Sequence, residues 1–193
     1  MLRLTGGEFR GRSIQTPGHG LTRPTQAKLR QALFNSLQTV IADARLLDLF
    51  AGAGTLGFEA LSRGASHVTF VESNRTTARM IEKNAATLGV QDRIKIIVDS
   101  VESVWSRVKG IAPYDLVLAD PPYAGGWEMK LLSDVAKYPW GQLLSPGGHF
   151  SLEWGAQKSA VKALPEEIPL LVKVREKNYG DSILTTYKRS LDP

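Results

Sequence analysis

The tetrapeptide Asp120-Pro121-Pro122-Tyr123 concentrates more chemistry than any other stretch of this 193-residue chain. Each proline disfavours the α region for the residue before it, which predicts an extended backbone at Asp120 and Pro121. The prolines donate no N–H. The expected product is a stiff loop whose carbonyls can accept hydrogen bonds. The Asp120 carboxylate adds an acceptor, and Tyr123 adds a flat aromatic face. This set suits an exocyclic base amine, a poor nucleophile because its lone pair is delocalised into the ring. Two acceptors on its hydrogens hold the nitrogen pyramidal and stabilise the positive charge that develops on it. Asp120 can then take up a proton. Tyr123 can stack on an extruded base, a contact worth ~1–3 kcal/mol. The plainer alternative is a rigid turn after a buried strand.

A second motif, Gly52-Ala53-Gly54-Thr55-Leu56-Gly57, fits G-x-G-x-x-G between a predicted strand and a predicted helix. Glycines there let the backbone turn tightly and approach a ligand. Glu72 follows Gly52 by 20 residues and ends the next predicted strand, where a carboxylate can accept from both hydroxyls of a ribose. Two features argue against a dinucleotide. Asp48, beside the loop, would repel a pyrophosphate but suits the ammonium of an amino-acid tail. The loop also begins Phe50-Ala51-Gly52, without the early glycine of a dinucleotide fold. A ribose-bearing ligand with a cationic amino-acid end is S-adenosylmethionine, with S-adenosylhomocysteine as its product. Asp99 is then placed to accept from the adenine amino group. A tight turn that binds nothing is the alternative.

These residues need elements to position them. Apolar runs predict strands at 46–50, 68–71, 94–98, 116–119 and 149–154, and helical spacing predicts helices at 55–63, 74–88, 100–109 and 128–137. Residues 170–177 and 182–188 read as a hairpin turning at Tyr179-Gly180-Asp181. Residues 1–23 read as one or two short strands with loops, and Pro24-Thr25 opens a helix to about Val40 that carries Leu29, Leu33, Phe34 and Leu37. Strands alternating with helices predict an α/β fold around a mostly parallel sheet, with the hairpin as an antiparallel edge. Ligands bind outside the carboxyl ends of such strands. Asp48, Glu72, Asp99 and Asp120 fall at four successive ends. One such acid can be a plain helix cap; four in register point to a site.

The net charge of +5 is carried by one segment. Residues 1–40 hold Arg3, Arg10, Arg12, Arg23, Lys28 and Arg30 against the single acid Glu8, while the remainder has 18 charges of each sign. A basic arm on a neutral body suits a polyanion, and a solubilising surface is the plainer reading. The division expected is therefore 1–40 as a basic extension and 41–193 as the catalytic domain. There is no cysteine, which excludes disulfides, thiolate zinc sites and thiol nucleophiles. His19, His67 and His149 are not ligand-spaced, so no metal is expected. No apolar run reaches signal-peptide or membrane-span length, and a soluble, cytoplasmic, monomeric protein is the expectation. Arg63 closes a predicted helix, where a cation is favourable without any function. Trp127 suits a base pocket or the core equally.

Together, Asp48-Leu49-Phe50-Ala51-Gly52-Ala53-Gly54 and Asp120-Pro121-Pro122-Tyr123 resemble the class I methyltransferases that modify exocyclic amines. The blocks Gly6-Gly7-Glu8-Phe9-Arg10-Gly11-Arg12, Arg23-Pro24-Thr25, Arg30 with Leu33-Phe34-Asn35, and Leu56 through Ala65 are similar to the RsmD-type 16S ribosomal RNA guanine-N2 methyltransferases. So is the terminal Tyr187-Lys188-Arg189. The resemblance implies a Rossmann-like, seven-stranded class I fold with a small amino-terminal β-hairpin and helix extension. It implies methyl transfer to the N2 of a guanine in small-subunit RNA, within an assembled or partly assembled particle. It implies cofactor contacts at Asp48, Gly52, Gly54, Glu72, Asp99 and Asp120, with catalysis at Asp120, Pro121, Pro122 and Tyr123. Arg10, Arg12, Arg23, Lys28 and Arg30 would lie near RNA or brace the cofactor pocket. Ala27, Lys28 and Gln31 depart from the family's acid, arginine and glutamate in that helix. The rival readings are an adenine-N6 methyltransferase acting on DNA or RNA and a non-catalytic ribosome-assembly factor.

Overall fold

Leu46, Leu47 and Leu49 form the centre of a strand because all three are buried completely, a burial on both faces that only a covered parallel sheet provides. The computed structural model describes residues 1–17, 24–123, 125–134, 137–155 and 161–191. They fall into two units, Met1–Val104 and Trp105–Pro193.

In the first unit, β1 (Leu2–Arg3) pairs antiparallel with β2 (Ser13–Ile14), followed by α1 (Pro24–Ser36). Then come β3 (Arg45–Leu49), α2 (Thr55–Ser62), β4 (His67–Glu72), α3 (Arg75–Leu88) and β5 (Ile94–Val98). The three strands run parallel, β3 beside β4 and β4 beside β5, with Asp48 opposite Phe70 and Glu72 opposite Val98. Their register brings the carboxyl ends together. Asn74 caps α3 by accepting from the Thr76 and Thr77 N–H groups at 2.8 and 3.1 Å, and Gly89 closes it in the left-handed conformation. The core gathers Phe58 and Phe70, ring centres 5.2 Å apart, with Val68, Ile81 and Ile97.

The second unit holds α4 (Trp105–Lys109), β6 (Tyr114–Ala119), α5 (Trp127–Ser133), α6 (Trp140–Leu143), β7 (Leu144–Gly155), β8 (Glu167–Ile168), β9 (Leu171–Tyr179) and β10 (Ser182–Arg189). Strand β7 runs parallel to β6, and β10 is antiparallel to both β7 and β9. The hairpin turns at Gly180-Asp181, as the sequence predicted to within a residue. An aromatic file supports this sheet: Tyr138, Trp140, Phe150 and Tyr187 stack in sequence with centres 5.8, 6.0 and 6.4 Å apart.

The fold is thus a Rossmann-like α/β arrangement with parallel strands and a carboxyl-terminal antiparallel hairpin. Among the described residues, the strands beyond the amino-terminal pair number three in one unit and five in the other, where seven were expected. The addition is β8, two residues that pair with the start of β9 across Pro169-Leu170 and are too short for an alternating pattern to announce. Helix α4 is shorter than expected, because residues 101–104 form turns.

Candidate functional site

In the first unit the candidate residues lie at the ends of β3, β4 and β5. After β3 the chain reverses at Phe50, whose φ of 58° lies in the left-handed region that aromatic residues rarely enter. Gly52 and Gly54 follow at φ 55° and 83°. Gly54 stands at the N-cap of α2 and has no side chain to cap with. Asp48 supplies that function from the neighbouring strand: its Oδ2 accepts the Gly57 N–H at 2.9 Å. The carboxyl is 1% exposed, and burial pushes its pKa up to about 7, against the Gly57 hydrogen bond and with the aid of the nearby Glu72 charge. Asp48 therefore both caps a helix and presents a carboxyl at the loop.

Glu72 ends β4 and binds the loop directly. One oxygen accepts the Gly52 N–H at 2.8 Å and the other the Asn74 N–H at 2.7 Å. A carboxylate accepts about four hydrogen bonds, so both oxygens retain acceptor capacity of the kind a ribose diol would use. A Cβ added to Gly52 would meet nothing within 4 Å, so the loop backbone borders open space that a ligand can enter. Asp99 follows β5; its N–H donates to the Glu72 carbonyl at 3.2 Å, and its Oδ1 accepts from the Ser100 N–H at 2.8 Å and from the Ser103 hydroxyl. Asp48, Gly52, Gly54, Glu72 and Asp99 are thus brought together, and their donor and acceptor set fits an adenosyl ligand with an amino-acid tail.

The amino-terminal block docks onto α2, a role the sequence did not reveal. Glu59 is completely buried and accepts from the Thr5 N–H at 2.9 Å, the Thr5 hydroxyl at 2.6 Å, Arg63 at 2.8 Å and Arg30 at 3.3 Å. Burial alone would push its carboxyl up; the Thr5 and Arg63 hydrogen bonds and the Arg30 charge outweigh that and hold it below the ordinary range. Ser62 donates to the Gly6 carbonyl at 2.5 Å and accepts the Phe9 N–H at 2.8 Å. A Cβ on Gly7 would fall 1.7 Å from the Ser62 carbonyl oxygen, so only glycine admits this approach. Asn84 of α3, 1% exposed, completes the brace: its amide donates to the carbonyls of Gln15 at 2.9 Å and Ala53 at 3.1 Å, and its Oδ1 accepts the Gln15 N–H at 2.7 Å. The amino-terminal block and the glycine loop therefore share one side chain.

The basic residues separate accordingly. Arg10 and Lys28 are exposed. Arg12 is exposed too, but it donates to the Thr87 carbonyl and lies 5.4 Å from the Phe9 ring centre. Arg30, expected near RNA or as a brace, is 4% exposed, donates to the Arg3 carbonyl at 3.0 Å and pairs with Glu59; it is a brace. Arg23 lies outside the described residues. Arg63, set aside as a helix-end cation, is the second partner of Glu59 and also donates to Thr5 and Asn35.

In the second unit, β6 is buried along its length apart from Asp115, and the chain emerges at Asp120, which is exposed. Pro121 is buried, which pins the loop, whereas Pro122 is exposed. Tyr123 is half-buried; its hydroxyl lies 2.9 Å from Glu153 Oε1 and 2.8 Å from Ser182 Oγ. Burial and the Glu153 and Asp120 charges, against the Ser182 hydrogen bond, push its pKa up to about 12. The phenol therefore stays protonated near neutral pH. Trp127 is half-buried, with Lys130 Nζ 4.9 Å from its ring centre. Trp140 and Trp154 are core residues, and Trp105 is half-buried. Among the described residues no group of three or more His, Asp or Glu is placed to hold a metal ion, and no helix is long and apolar enough to cross a membrane.

A family model described as conserved hypothetical protein 95 matches residues 2–188. The ribosomal RNA small subunit methyltransferase D of Escherichia coli is 41% identical over 125 residues, 65% of this chain and 62% of that protein. The putative rRNA methyltransferase YlbH of Bacillus subtilis is 30% identical over 97% of this chain and 99% of its own length. Among solved structures, the putative methyltransferase yhhF of Escherichia coli superposes with a TM-score of 0.81 at 33% identity, covering 99% of both chains. Matches of that extent, reaching from the first strand to the terminal hairpin, place the chain in the RsmD-type family of class I methyltransferases.

Proposed function

We propose that this protein transfers a methyl group from S-adenosylmethionine to the exocyclic N2 of a guanine in small-subunit ribosomal RNA. The observation that carries the reading is the Asp120-Pro121-Pro122-Tyr123 loop, with an exposed carboxylate set directly after a buried strand and an anchored aromatic ring three residues on. Membership of a family whose named relatives act on ribosomal RNA supports it.

S-adenosylmethionine supplies an electrophilic methyl carbon when bound. Glu72 would hold the ribose hydroxyls, Asp99 the adenine edge and Asp48 the ammonium of the tail, while the Gly52 backbone allows close approach. Asp120 and a loop carbonyl accept from the amino group of the guanine, keep its lone pair directed outward and stabilise charge on nitrogen. Asp120 takes up the released proton. Tyr123 stacks on the base, which must be unpaired or flipped to reach the loop. Residues 1–40 serve as an RNA-facing extension of the catalytic domain 41–193, with Arg10, Arg12 and Lys28 toward phosphate and Arg30 as a brace. The substrate is an assembled or partly assembled particle, and the protein acts as a cytoplasmic monomer.

The test is a tritium-transfer assay with labelled S-adenosylmethionine on small subunits from cells lacking this protein, on naked RNA and on DNA, followed by nucleoside separation. Label in N2-methylguanosine, preferentially from subunits, is expected. Label in N6-methyladenine would replace the substrate while keeping the loop chemistry. No label with intact cofactor binding would leave an assembly factor.

A further inference from the structure

Tyr123 is held by three residues that the proposed reaction does not use. Glu153 and Gly155 sit two positions apart on β7, so both point to the same face of the sheet. Ser182 is the cross-strand partner of Gly155 on β10 and shares that face. The phenol hydroxyl reaches Glu153 Oε1 at 2.9 Å and Ser182 Oγ at 2.8 Å. A phenol has one proton. The carboxylate can only accept it, so the Ser182 hydroxyl donates to the phenol oxygen. The two hydrogen bonds have a fixed sense and lock the ring at its far end.

Gly155 lies against the ring itself. A Cβ built there would fall 3.1 Å from Tyr123 Cδ1, a tight contact that the ring would have to yield to, and 3.4 Å from Cγ and Cε1. The ring therefore rests on bare backbone at one side and is tethered by its hydroxyl at the tip. Its other end belongs to the same stiff loop as Asp120.

We propose that Glu153, Ser182 and Gly155 form a seat that presets the Tyr123 ring as a platform for the target base. They are positioning residues for methyl transfer, acting through Tyr123. The proposal rests on the stacking role given to Tyr123 above. A ring fixed before the base arrives need not be ordered during binding, which for one side chain corresponds to about a two- to tenfold gain in kcat/KM. The charged acceptor strengthens the tether, because hydrogen bonds to ionised groups exceed neutral ones.

The experiment measures kcat and KM for the RNA-containing substrate, with S-adenosylmethionine affinity by calorimetry alongside, for Tyr123→Phe, Glu153→Ala, Glu153→Gln, Ser182→Ala and the Tyr123→Phe/Glu153→Ala double variant. Tyr123→Phe and Glu153→Ala should each lower kcat/KM by about three- to tenfold with cofactor affinity unchanged. The double variant should be no worse than Tyr123→Phe alone, because the phenylalanine has already lost the bond to Glu153. Glu153→Gln, which still accepts the phenol proton, should recover most of the loss. Equal losses from Glu153→Ala in the wild-type and Tyr123→Phe backgrounds would overturn the seat, as would weakened cofactor binding in step with turnover. Tyr123→Ala separates the two claims. If it is far worse than Tyr123→Phe while the cycle is additive, the seat fails and stacking stands. If it matches Tyr123→Phe, the stacking role and the seat fall together.

Discussion

The glycine loop of the first unit is held by polar side chains that hydrogen-bond its backbone, whereas the proline loop of the second is held by proline stiffness, the burial of Pro121 and the anchored Tyr123. Asp48, Glu72 and Asn84 each take backbone groups of the glycine loop or its helix, and Asp48 and Asn84 are 1% exposed. On the proline loop, Asp120 is exposed, and Tyr123 is fixed by hydrogen bonds to Glu153 and Ser182. The difference follows from the tasks. A cofactor of constant shape is served by a rigid cradle. In the proposed reaction a base arriving from an RNA needs an open carboxylate, so rigidity there comes from the two prolines, Pro121 buried among them, rather than from burial of Asp120 itself.

Removing Asp120 should break this contrast most sharply. Asp120→Ala should lower turnover by about a thousandfold or more while leaving cofactor affinity within a factor of about two. Single-turnover transfer and calorimetry read the two quantities. Loss of both together would make the loop part of the cradle and erase the distinction between the two regions.

Second comes Glu59, the centre of the buried network in the first unit. Glu59→Ala leaves the Arg30 guanidinium buried without its carboxylate. Breaking a buried pair costs about 3–5 kcal/mol, which corresponds to a fall in Tm of roughly 10 °C for a chain of this size. Thermal melts check it. A Tm within about 2 °C of wild type would show that the amino-terminal block docks without that network.

The parts legible in the sequence were those where one residue type has one local consequence. The glycine loop, Glu72 at the end of β4 and the Asp-Pro-Pro-Tyr loop after β6 stand where spacing put them. Partnerships across the fold were not legible. Arg30 was counted with the basic arm because charge was summed along the chain. Yet it lies three and four residues before Leu33 and Phe34, on the face of α1 that is buried, and that spacing was a usable signal. Glu59 stood between Phe58 and Ala60 in a helix otherwise apolar around it, a second signal. Glu153 and Ser182 gave none, since a half-buried strand carries polar residues at many such positions.

Asp48 sharpens the comparison through pH. Its carboxyl rises from 3.8 to about 7 on folding. The folded state therefore binds that proton more tightly than the unfolded chain, and the associated stability is present below the unfolded value and lost as pH rises toward about 7. Asp48→Asn keeps an acceptor for the Gly57 N–H and removes the ionisation. Its Tm should exceed that of wild type by several degrees, up to roughly 10 °C, at pH 8 and by nothing near pH 4. Its affinity for S-adenosylmethionine should fall about tenfold at pH 8, where the carboxylate would otherwise meet the ammonium. A pH-independent Tm difference would show that Asp48 is ionised throughout.

The smallest expected effect separates two neighbouring arginines. Arg10 is exposed and makes no ion pair among the described residues, whereas Arg12 also holds the Thr87 carbonyl and covers Phe9. Arg10→Glu should weaken RNA binding several-fold, reduce the salt slope by about one and leave Tm unchanged. Arg12→Glu should weaken RNA binding similarly and also lower Tm by a few degrees, on the order of one lost hydrogen bond. Gel shifts across a salt series and parallel melts give both numbers. If Arg10→Glu leaves RNA affinity intact while Arg12→Glu lowers it only in proportion to Tm, the amino-terminal block is a brace throughout, and the RNA-facing surface must be sought elsewhere on the chain.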